Sequence, residues 1–121
     1  MITEDYVSFE VAKLLKEKGF NEPVTELNRL LIKEGEKPVL RITHQKAMKW
    51  LREKGFHINA SISYDYSVDA DGNVVDKWTF WIFEILSSIS GELIYTEELN
   101  EYESYEQAVE AAIKYCLENL I

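Results

Sequence analysis

The sequence holds a single cysteine, Cys116, in 121 residues. One thiol excludes an internal disulfide and any multi-cysteine metal centre. Cys116 falls on the apolar stripe of a predicted helix, so it reads as a buried structural thiol rather than a reactive one. Histidine is nearly as scarce. His44 and His57 are the only two, and neither has a second His or a Cys at metal-ligand spacing. Each reads as a capping or partly buried structural group rather than an acid–base catalyst. There is no Gly-rich phosphate loop, no nucleophile elbow and no carboxylate pair that can be placed on one cleft. No apolar run approaches the ~20 residues of a membrane span. Residues 1–20 carry acids near their start and a charge every few residues, unlike a secretory signal. These absences lead to the expectation of a non-enzymatic chain without cofactor or metal, acting in the cytoplasm.

Basic residues are missing from a long stretch. Residues 1–56 carry eleven Lys/Arg against nine Asp/Glu, whereas residues 57–121 carry two against thirteen. Between Trp78 and Ile113 there is no Lys or Arg, while Glu92, Glu97, Glu98, Glu101, Glu103, Glu106 and Glu110 all fall there. Such a field repels nucleic acid and anionic membranes and favours a cationic partner. A solvated acidic face that aids solubility would have the same composition.

What is present is led by a long β-hairpin. Ile58, Ala60, Ile62, Tyr64, Tyr66 and Val68 alternate with Asn59, Ser61, Ser63, Asp65 and Ser67. This is the period of a half-buried strand. Asp69-Ala70-Asp71-Gly72-Asn73 supplies the turn. Asp69, Asp71 and Asn73 also have the alternate spacing of a calcium loop, but Phe80 stands where that loop needs a bidentate Glu, so the turn explains them. Pairing Val68 with Val74 sets Tyr64 against Trp78, Ile62 against Phe80 and Ala60 against Ile82. It also opposes Asp65 to Lys77 and Ser63 to Thr79. The side of Tyr64, Trp78 and Phe80 then becomes the core wall. Trp81, Phe83 and Ile85 lie on a second apolar face, to be covered by residues 1–42 or by a second copy of the chain in a homodimer.

The rest predicts helices and one more strand. Helices are expected over residues 8–18, 43–54 and 104–120, with Ser8, Thr43 and Ser104 as N-caps and Gln107 completing a capping box. Gly19-Phe20 and Gly55-Phe56 end the first two alike. Strands are expected at 58–68, 74–86 and 92–96. Residues 21–42 form a variable connection, read as a helix in preference to a small hairpin pairing 30–32 with 39–42. The result is one α+β domain over 1–121, with a three-stranded antiparallel sheet in the order α-(α or hairpin)-α-β-β-β-α. From Thr43 onward this order is that of the double-stranded-RNA-binding fold, an analogy of fold alone, since the basic contacts to phosphate are lacking.

Three stretches carry a resemblance. They are Tyr6-Val7-Ser8-Phe9-Glu10-x-Ala12-Lys13-Leu14-Leu15-Lys16-Glu17-Lys18-Gly19-Phe20, Thr43-x-x-x-Ala47-Met48-Lys49-Trp50-Leu51-Arg52-Glu53, and 104–121, from Ser104-Tyr105-Glu106 to Asn119-Leu120-Ile121. Together they resemble small proteins encoded in Bacteroidales genomes, often in phage-derived regions. Ile42-Thr43 stands where that group often has Pro-Thr. The resemblance implies a phage-type accessory protein and no activity.

The functional expectation is therefore a protein-interaction role. The expected surface comprises Trp81, Phe83, Ile85, Glu97, Glu98, Glu101 and Glu103, with the acidic half steering a basic partner or mimicking nucleic acid. The alternative is nucleic-acid binding through Lys46, Lys49 and Arg52 on the helix over 43–54. A recognition helix needs a short turn before it, and more than twenty residues separate this one from the first helix.

Overall fold

The computed structural model describes residues 5–21, 30–31, 39–97 and 100–121. The elements run α1 (Phe9–Glu17), β1 (Leu30–Leu31), β2 (Val39–Leu40), α2 (His44–Glu53), β3 (Phe56–Val68), β4 (Val74–Ser87), β5 (Leu93–Thr96) and α3 (Tyr105–Tyr115). The fold class is α+β. An antiparallel sheet in the order β3-β4-β5 carries the three helices against one face.

Each helix starts where a side chain can take up an otherwise orphaned N–H. Ser8 Oγ accepts from the Val11 N–H at 3.2 Å, and Thr43 Oγ1 from the Lys46 N–H at 3.1 Å. Ser104 Oγ accepts from the Gln107 N–H at 3.1 Å, while Gln107 Oε1 reaches back to the Glu103 N–H at 3.0 Å. Gly19 and Gly55 both adopt φ near +105°, a region costly to any residue with a Cβ. The phenylalanine after the first of them, Phe20, sets its ring edge-on to Trp50 of α2 at 5.9 Å. The repeated stop signal thereby clamps two helices together. Past Tyr115 the closing helix widens into a π-type turn over Cys116–Leu120, closed by the Ile121 N–H on the Cys116 carbonyl at 3.1 Å.

In the connection before α2, residues 30–31 and 39–40 pair as strands, as the hairpin alternative required and not as the preferred helix would have them. Leu30 pairs with Leu40 and Leu31 with Val39. The remainder of that expectation, residues 22–29 and 32–38, lies outside the described residues. The chain is still extended when it meets α2, because the Val7 N–H bonds the Ile42 carbonyl at 2.8 Å and Tyr6 bridges Thr43. Extended pairing on both sides of residues 39–43 excludes a helix there.

The inner face of β3 is the expected one, with Ile58 and Ala60 inward, but the faces of β4 are reversed from the sequence expectation. Val68 does pair with Val74, but a bulge follows at once and Ser67 pairs with Asp76, leaving Val75 over. Every pair below it shifts by one. Ile62 now faces Trp81, Ala60 faces Phe83 and Ile58 faces Ile85. The physical reason is packing. The expected register left Phe83 and Ile85 on the face away from the helices, whereas this one sets them beside Ala60 and Ile58 in the buried cluster and turns Trp78, Phe80 and Ile82 outward, opposite Asp65, Ser63 and Ser61. That face receives the helices. Ile58, Phe83 and Ile85 are buried with Val11, Leu15, Leu51, Val109, Ile113 and Leu117. Trp78 is instead on the outer face, 40% exposed, and Phe80 and Ile82 beside it are partly exposed.

Candidate interaction surface

The seven residues expected to form a surface do not stay together. Phe83 and Ile85 are 1% and 0% exposed, so neither can meet a partner. Phe83 lies between the rings of Tyr95 and Tyr102, each with its centroid 6.0 Å away. Trp81, half-buried, meets Tyr105 edge-on at 5.7 Å. The cover over this face is α3 together with α1, α2 and the tyrosines at 95, 102 and 105, so residues from 1–42, one of the two expected covers, take part in it. Glu98 lies outside the described residues, while Glu101 and Glu103 are exposed and Glu97 is half-buried.

The acidic segment follows the edge of β4. Just past β5 the Glu97 N–H bonds the Phe83 carbonyl at 3.2 Å. Trp81 and Tyr102 then exchange backbone hydrogen bonds at 2.8 and 2.9 Å. This places Glu97, Glu101, Glu103 and Glu106 around one end of α3. Two of them are tied to aromatic groups. Tyr95 donates its hydroxyl to Glu97 Oε2 at 3.1 Å, and Trp78 donates Nε1–H to Glu101 Oε1 at 3.3 Å. Burial first, then the hydrogen bond to Glu97 for Tyr95 and the Glu97 charge for Tyr102, push the two phenols above their ordinary value. Other acids of the window are elsewhere. Glu92 sits in the β4–β5 turn at the opposite end of the sheet, and Glu110 is bound within the protein.

Beyond the Ile62–Trp81 pair the β3–β4 ribbon leaves the helices behind. Ile62 is 59% exposed, Tyr64 60%, Tyr66 52%, Val68 51% and Val74 59%. All five lie on the face that is core nearer the base, because opposed and alternate residues share a face. At the tip, Asp69 Oδ1 accepts from the Asp71 and Asn73 N–H groups at 2.9 and 3.0 Å. The Asn73 N–H leads the contacts that lower this carboxyl below its ordinary value. Asp69 thus serves its own turn, as the sequence suggested over a calcium loop. Among the described residues no group of three His, Cys, Asp or Glu could hold a metal.

A polar seam joins the helix ends at the other side of α3. His44 Nε2 and Glu110 Oε1 are 2.9 Å apart, with the histidine 6% exposed overall. The same carboxylate accepts the Ser8 N–H at 3.2–3.3 Å, and the His44 N–H bonds the Asp5 carbonyl at 2.9 Å. Burial disfavours the Glu110 charge, but the His44 ring and the Ser8 N–H outweigh it and the carboxyl falls below its usual range. The seam lines an open groove of about 560 Å³ with Tyr6, Tyr102, Glu106 and Lys114. A His–carboxylate pair can move a proton, yet catalysis also needs a nucleophile or a held substrate. The hydroxyl of Ser8, whose backbone N–H bonds the same carboxylate, accepts the Val11 N–H at the helix cap, and that of Thr43, next to His44, accepts the Lys46 N–H. This pair was invisible in the sequence, since its members are 66 residues apart. His57 lines a separate recess of about 320 Å³ with Arg52 and Leu86.

Lys46, Lys49 and Arg52 stand on the exposed side of α2, as expected. The helix start that would have to read bases is turned inward, with Thr43 and His44 buried against residues 5–7. No helix among the described residues is long and apolar enough to cross a membrane. Comparisons of the chain with protein-family models, with curated proteins and with solved structures gave no match.

Proposed function

We propose that this chain is a non-enzymatic interaction protein of phage or mobile-element type that binds a basic protein partner in the cytoplasm. The observation that carries the reading is the run of Glu97, Glu101, Glu103 and Glu106 along the β4 edge and around the start of α3. Within 78–113 no lysine or arginine offsets them. Carboxylates at a sheet edge steer a cationic surface and set its orientation more than they add affinity. The same charge would let the chain stand in for nucleic acid on a DNA-binding enzyme, a narrower form of the same proposal. A phage-type origin rests on the three helical stretches that resemble Bacteroidales proteins.

The test is capture from the native host with the wild type and with a variant carrying Glu101→Gln, Glu103→Gln and Glu106→Gln. A basic protein held by the wild type, lost from the variant and released by salt supports the proposal. Equal retention by both forms overturns it. The exposed row Lys46, Lys49 and Arg52 favours a second reading, nucleic-acid binding. Failure to bind nucleic acid even at low salt would remove that reading, because phosphate contacts strengthen as salt falls.

A further inference from the structure

We propose that the outer half of the β3–β4 ribbon is the two-fold interface of a homodimer, in which two ribbons lie antiparallel with their inner faces in contact. The stripe is made of Ile62, Tyr64, Tyr66, Val68 and Val74, each more than half exposed. It continues the core face outward, past the point where α3 stops covering it. A lone two-stranded ribbon is marginal in water, and one with this much exposed apolar surface needs a cover.

Charge selects the occupant. The ribbon carries Asp65, Asp69, Asp71 and Asp76, but none of them lies on the inner face. Asp65 and Asp76 point to the outer face by the strand register, and Asp69 and Asp71 sit in the turn. The one charge on the inner face is Lys77, whose ammonium lies 4.7 Å from the Tyr64 ring centroid. A cationic partner would meet a lysine there and no carboxylate. An identical stripe meets aliphatic and phenolic groups, which a two-fold contact requires to be self-complementary. Antiparallel ribbons keep the two acidic turns apart.

The area is sufficient. Five side chains exposed to this degree offer roughly 600 Å² per copy, or roughly 1,200 Å² in all, the lower bound of a specific interface. The dimer is therefore expected to be weak and concentration-dependent. Each copy carries a net charge of −9, so like-charge repulsion opposes association and salt relieves it. Binding of a basic partner to the acidic segment has the opposite salt dependence. The dimer and the proposed function can thus fail independently.

Sedimentation velocity of the full chain over about 1 µM to about 1 mM tests the proposal, at about 0.05 M and about 0.5 M salt. The expected result is a monomer–dimer equilibrium that tightens at the higher salt. Tyr64→Ser with Tyr66→Ser should weaken it at least about tenfold, while Ser63→Asn on the outer face should not. Both changes are at surface positions, and circular dichroism checks that the chain is folded. Hydrogen exchange gives an independent readout, with the amides of 62–68 gaining protection as concentration rises. A monomer at every concentration and both salts overturns the proposal. So does a dimer indifferent to the Tyr64 and Tyr66 substitutions, or one that dissociates as salt is added.

Discussion

Replacing Phe83 by alanine should destabilise the chain far more than replacing Phe80, three residues away on the same strand. Phe83 is 1% exposed and its ring is held between Tyr95 and Tyr102. Truncation removes a fully buried ring and leaves a cavity, so a loss of about 3–5 kcal/mol is expected. Phe80 faces outward and is partly exposed. Its loss opens no closed cavity and should cost about 1–2 kcal/mol. The total stability of a domain this size is of the order of 5–15 kcal/mol, so Phe83→Ala should approach the limit of folding. In thermal melts the difference would be about 4 °C for each kcal/mol. Urea titration is the better assay, since unchanged m-values would show that both variants unfold from the same native state. A Phe80→Ala cost equal to or larger than that of Phe83→Ala would refute the assignment of faces, and with it the bulge at Val75.

Other outcomes follow from the seam, the caps and the thiol. Glu110 has a lower carboxyl pKa folded than unfolded, so it adds stability above the ordinary carboxylate range and loses it as pH falls through the lowered value. Glu110→Gln should therefore reduce stability at neutral pH and flatten its decline into acid, measured by urea titrations across that range. Thr43→Ala removes the acceptor of the Lys46 N–H and should cost about 1 kcal/mol by the same assay. Cys116 is fully buried, and burial pushes its thiol up to about 12. Alkylation near neutral pH should then proceed only at the rate of opening, and labelling faster than unfolding would contradict its placement.

What could be read from the sequence was whatever is decided locally. The caps at Ser8, Thr43 and Ser104, the glycine stops and the 69–73 turn each depend on residues within four positions of one another. The strands were legible too, because alternation is a local pattern. Their relative faces were not. One leftover residue at Val75 inverts the inward set of β4, and nothing in Val74-Val75 marks a bulge. The choice was made by the helices, through the burial of Phe83 and Ile85 under Val109, Ile113 and Leu117. The short apolar runs at 30–31 and 39–40 were ambiguous for the usual reason, that two or three residues carry no period. Of the site, the exposed acids Glu101 and Glu103 were found from composition. The exposed ribbon was missed because its residues look like core until one knows where α3 ends. His44 and Glu110 meet only through the packing of α2 on α3.

The bulge also decides what the ribbon can become. It lies at the tip, whereas the buried register is fixed at the base by Ile58 on Ile85 and Ala60 on Phe83. Length can therefore change at the tip without disturbing anything packed below. Adding two residues to each strand would preserve which side chains point inward and extend the reach by roughly 7 Å. Such a ribbon is an adjustable ruler. A graded series of lengths would report the distance between whatever surfaces it joins.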